Sequence, residues 1–130
     1  MSTKRGTVLV ARTDLFALAD VDFHGGWWWS SDRPAEVHLL VDSVEWVIGR
    51  DLLSRGIRGR VGDGDVQLCP SSPGLWVRLS SPHGEVLLWG SLRVAEDFLA
   101  RTWRACPRWV ESARVSAALD AFLMDVEAQR

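Results

Sequence analysis

The strand-like runs of this chain follow one another with only turn residues between most of them, and that spacing restricts its fold more than any other feature. Parallel neighbours need a crossover of a dozen or more residues, so runs joined by short turns must pair antiparallel. Thr7 to Ala11 and Leu15 to Val21 read as two strands parted by turn formers at Thr13 and Asp14. His24, Gly25 and Gly26 then break the chain, and Trp27, Trp28 and Trp29 open a further strand, because large rings pack well on a pleated surface. Val37 to Val41 and Val44 to Ile48 are separated only by Asp42 and Ser43, the spacing of a tight hairpin. Asp51 to Gly56 suits a short helical turn, with Asp51 as its cap and Gly56 as its left-handed end. Gly62-Asp63-Gly64-Asp65 turns into the strand Val66 to Cys69, Leu75 to Leu79 alternates, and Ser80-Ser81-Pro82-His83-Gly84 returns the chain as Glu85 to Trp89. Six or seven strands are expected.

From Leu92 the period lengthens: Val94, Ala95, Phe98, Leu99 and Thr102 recur at helical spacing until Pro107. Glu96 and Asp97 fall in the expected first turn of that helix, where carboxylates complement its dipole. A second helix is expected from about Ser112, with Val115, Leu119, Phe122, Leu123 and Val126 forming one apolar stripe that must bury itself on the sheet or on another chain. The reading is a single α+β domain over 1–130, mainly β in 1–91 and mainly helical in 92–130.

Composition excludes several functions. The mix of 47% hydrophobic and 25% charged residues is that of an ordinary globular protein. The run Val8 to Ala11 is broken by Arg12 and Asp14, too early for a signal-peptide core, and no window approaches the roughly 20 apolar residues of a membrane-spanning helix. A cytoplasmic protein is expected, with Cys69 and Cys106 as reduced thiols. A net charge of -2 makes nucleic acid an unlikely partner, since nonspecific affinity comes from basic residues that displace counterions.

Catalytic and cofactor motifs fail one by one. Gly62 and Gly64 are followed by Gln67 where a dinucleotide fingerprint needs its third glycine, and the single lysine, Lys4, lies in a terminal tail far from any phosphate loop. His24, His38 and His83 are scattered, and neither cysteine has a second ligand at zinc-site spacing. Ser80, Ser81 and His83 sit in one tight turn, which presents no oxyanion donors. No enzyme activity, metal or cofactor is expected.

Two features could carry recognition instead. Eight tryptophans are several times an ordinary share, and three are consecutive. Along a strand Trp27 and Trp29 share one face and Trp28 takes the other, so either a ring is exposed or both faces are covered. Trp46, Trp76, Trp89 and Trp103 read as core. The second feature is Arg50, Arg55, Arg58 and Arg60, four arginines beside one acid, Asp51. They form either a docking patch for an acidic protein tail or phosphate, or a solvated loop face.

The segment Val44-Glu45-Trp46-Val47-Ile48-Gly49-Arg50-Asp51-Leu52-Leu53-Ser54-Arg55-Gly56 resembles the hallmark stretch of the SsgA-like sporulation and cell division proteins of filamentous actinobacteria. The likeness continues through Gly62 to Val66, Pro70, Leu79 to Leu88 and Phe98 to Thr102. It implies a curved antiparallel sheet or open barrel followed by carboxy-terminal helices, similar to single-stranded nucleic-acid-binding proteins, and a homo-oligomer with a trimer favoured. It further implies a non-catalytic adaptor that regulates septum placement at the division septum, with FtsZ or another SsgA-like protein as partner. A single-stranded nucleic-acid-binding domain is the alternative. The chain departs from the family pattern in the short connection before Val44, in the triple tryptophan and in the stretch from Ala105 to Ala113.

Overall fold

The computed structural model describes residues 6–17 and 22–108. Its elements in chain order are β1 (Val8–Ala17), β2 (Asp22–Ser30), β3 (Glu36–Val41), β4 (Val44–Gly49), α1 (Arg50–Gly56), β5 (Val61–Asp63), β6 (Val66–Ser71), β7 (Gly74–Ser81), β8 (Gly84–Ser91) and α2 (Leu92–Ala105). All strand pairs are antiparallel, in the order β4-β3-β2-β1-β8-β7-β6-β5. The sheet is thus two four-stranded meanders, each made of consecutive hairpins and each followed by a helix. They join where Phe16 and Ala17 of β1 pair with Trp89 and Leu88 of β8.

The sheet has eight strands rather than six or seven: the runs expected at Thr7 to Ala11 and from Leu15 join in β1, and Val61–Asp63, where only a turn was expected, adds β5 by pairing with β6. Thr13 and Asp14 do not turn the chain, and β1 runs unbroken through them. His24, Gly25 and Gly26 likewise lie inside β2, opposite Asp14, Thr13 and Arg12. Gly25 is needed for close approach rather than for a turn, since a Cβ there would stand 2.2 Å from the Leu40 carbonyl oxygen. Between β3 and β4, Asp42 takes a positive φ of 53°, as a two-residue hairpin loop requires.

The core lies between one sheet face and the helices. Leu15, Trp27, Trp29, Val37, Leu39, Ile48, Leu68, Leu75, Val77, Leu79 and Leu88 supply the sheet side. Against them α2 turns Ala95, Phe98, Leu99 and Thr102, with Val94, the remaining member of the expected stripe, half-buried beside them, and the Phe98 ring stacks on Trp27 at 6.3 Å. Burying side chains of the Phe98 and Leu99 kind is worth about 1.5–3 kcal/mol each. Ser91 caps α2 by accepting a hydrogen bond from the Val94 amide at 3.1 Å. The cap places Glu96 and Asp97 beyond the first turn, which carries no acid.

In α1 the cap is Gly49, without a side-chain hydrogen bond, and Asp51 sits inside the first turn. Gly56 does not close the helix in a left-handed conformation; the C-cap is Ile57 at φ −75°. Gly56 serves packing, because a Cβ there would stand 2.6 Å from the Leu68 side chain. Cys69 and Cys106 are free thiols. No helix among the described residues is long and apolar enough to cross a membrane. The stripe from Val115 to Val126 falls outside the described residues.

Candidate functional site

The seven recognition residues expected from the sequence part into three environments. Trp27 and Trp29 are 2% and 0% exposed and belong to the core, so neither ring can meet a partner at the surface. Arg50 leaves the expected arginine patch altogether, with 0% exposure. Its guanidinium carbon lies 3.6 Å from the centroid of the Trp103 ring and 5.6 Å from that of Trp29, and Nη1 donates to the Thr102 carbonyl oxygen at 3.1 Å. Such a sandwich satisfies a buried cation through aromatic faces, which arginine's planar, weakly hydrated head suits better than an ammonium. Arg50 therefore ties β2, α1 and α2 together.

Arg55 and Arg58, by contrast, stay exposed and make no ion pair among the described residues. They border an open groove of about 820 Å³ between α1 and α2, floored by Ile57, Leu99, Trp103 and Pro107. Around this floor Trp103, Ser54, Arg108 and Asp51 are held by one another. Trp103 Nε1 donates to Ser54 Oγ at 3.1 Å, Arg108 Nη1 donates to Asp51 Oδ1 at 2.6 Å, and the Arg108 guanidinium lies over the Trp103 ring at 4.6 Å. With Arg108 and Asp51 matched to each other, the charged groups left in the lining are two cations, Arg55 and Arg58, and one carboxylate, Glu96. The groove is an apolar trough with a net positive rim. Arg60 is exposed but lies elsewhere, at a smaller hollow on the sheet.

Trp28, as the alternation requires, faces away from the core. Register aligns Val10, Trp28, His38 and Val47 in one row across β1 to β4. Val10 and Val47 are 58% and 53% exposed, while the Trp28 ring lies flat on the His38 imidazole at 3.9 Å. His38 Nδ1 hydrogen-bonds Glu45, and Nε2 stands 3.6 Å from Glu36. Trp76 and Trp89, expected in the core, also lie on this outer face, half-buried. Their places follow from parity: Leu75, Val77 and Leu79 point inward, so Trp76 points out. Strand parity could have shown this from the sequence.

The described residues thus form an antiparallel open sheet with helices on one face, aromatic rings on the opposite face and a groove with a net positive rim between the helices, an α+β class of fold. The chain belongs to the SsgA family: residues 25–111 match the family described as Streptomyces sporulation and cell division protein, SsgA. Over 74 residues it is 46% identical to the sporulation-specific cell division protein SsgB of Streptomyces coelicolor, covering 54% of each chain. It is 36% identical over 102 residues to SsgB of Kineococcus radiotolerans, covering 71% of this chain and 59% of the relative. The chain thus spans about half the length of the curated relatives it matches. Among solved structures, SsgB from a study of longitudinal cell division in Streptomyces coelicolor superposes with a TM-score of 0.80 at 31% identity, over 86% of this chain and 97% of that one. An SsgA-like protein of Thermobifida fusca gives a TM-score of 0.72 at 26% identity, over 96% and 98%.

Proposed function

We propose that this chain is a non-catalytic, protein-binding adaptor that regulates septum placement in sporulation-specific cell division, acting in the cytoplasm at the septum as a homo-oligomer. The relatives named for sporulation-specific division support the process. The single observation that carries the mode of action is the groove between α1 and α2, where Arg55 and Arg58 stand unpaired among the described residues above an apolar floor. Guanidinium groups beside an apolar trough suit an acidic, partly apolar segment of another protein, with division proteins such as FtsZ or another SsgA-like protein as partners.

The test is complementation in a sporulating host that lacks this gene. The wild-type gene restores regular septum spacing, whereas Arg55→Glu/Arg58→Glu, both at exposed positions, leaves spacing irregular although the protein accumulates normally. Full restoration by the charge-reversed variant would exclude the groove.

A further inference from the structure

The second meander carries a row of rings on its outer face, distinct from the arginine groove. Register places Phe16, Trp89, Trp76 and Cys69 side by side across β1, β8, β7 and β6. Phe16 is 43% exposed. Phe16 to Trp89 and Trp89 to Trp76 are each 6.4 Å between ring centroids. The middle ring lies down against bare backbone, because Gly74 beneath it has no Cβ; one added there would stand 1.9 Å from the indole. At the Trp76 end the row opens into a hollow of about 400 Å³ lined by Arg60, Gln67, Cys69, Arg78, Glu85 and Leu87. There Arg78 is engaged by Glu85 through Nε at 2.7 Å and Nη2 at 2.8 Å. Arg60 is exposed and makes no ion pair among the described residues.

We propose that this row and hollow bind an extended peptide segment of a partner protein, carrying apolar residues at alternate positions and a carboxylate at the end that meets Arg60. Every second side chain of an extended peptide recurs at about 6.7 Å, close to the spacing of the rings, so alternate apolar side chains can seat between successive rings. The charge is complementary at one point. Arg78 is already neutralised, which leaves Arg60 for one acidic group. A single-stranded nucleic acid would also find rings to stack on, but it brings a phosphate at every step, and the row offers one unpaired cation at one end.

Binding of a fluorescein-labelled Ser-Leu-Ser-Leu-Ser-Asp peptide to the whole chain, followed by anisotropy, tests this. Arg60→Glu, at an exposed position, should weaken binding about tenfold, the loss of one charge-assisted contact, and replacing the peptide's Asp by Lys should do the same. Trp76→Ala should remove binding while thermal melting shows the fold retained. Arg58→Glu, in the other groove, should leave binding unchanged, which separates this site from the proposed adaptor groove. Absence of wild-type binding, equal binding by Arg60→Glu, or displacement of the peptide by an oligothymidine at physiological salt would each overturn the proposal.

Discussion

Arg50 joins β2, α1 and α2 through one side chain, since its guanidinium is covered by two indoles and donates to the backbone of α2. Arg50→Ala should lower stability by about 3 kcal/mol, read as a fall in urea midpoint with little change in slope, because a cavity replaces a desolvated cation–π stack. Arg50→Lys should also destabilise, since an ammonium cannot fill the planar gap between rings. Gly74→Ala is a second test at this scale. Its Cβ must push the Trp89 ring aside, an overpacking cost of about 1–3 kcal/mol. Glu85 responds to pH. Hydrogen bonds from Arg78 hold its carboxyl below the usual glutamate value, so the pair's small stabilisation is present at neutral pH and is lost as pH falls through that lowered value. Glu85→Gln should flatten this part of the acid limb of a stability–pH curve.

Elements were legible where local chemistry and tertiary packing agree. The hairpin around Asp42 and Ser43, the turn at Pro82 and His83, and the stripe of α2 follow from turn residues and from period alone. Ser91→Ala should cost about 1 kcal/mol, measured by thermal melting, because the first turn of α2 loses its side-chain acceptor. Elements are not legible where a residue serves a contact distant in sequence. Gly25 looks like a breaker but makes room for the Leu40 carbonyl of the neighbouring strand, and Gly56 looks like a helix stop but makes room for Leu68. Neither neighbour is visible from a local window. Arg50 departs from the expected patch for the same reason: its companions in sequence, Arg55, Arg58 and Arg60, are exposed, while its own surroundings come from β2 and α2.

At the scale of the molecule, the fold assigns its surplus of tryptophan to three tasks. Trp27 and Trp29 fill the core, Trp103 covers Arg50 and floors the groove, and Trp28, Trp76 and Trp89 furnish the outer face. The stretch that carries the family resemblance most strongly contributes Ile48, Arg50 and Leu53 to the interior, so it builds the scaffold, while Arg55 at its end reaches the groove. Scaffold and surface are therefore separable, and exposed charges can be reversed without disturbing the buried sandwich. The measurement that tests the adaptor account most directly is calorimetric titration of the purified chain with purified FtsZ and with a co-resident SsgA-like protein, wild type against Arg55→Glu/Arg58→Glu. The account predicts saturable binding to one of them, weakened at least about tenfold by the double reversal with the melting temperature unchanged. Binding of equal strength by the two forms, or binding to neither protein, would contradict it.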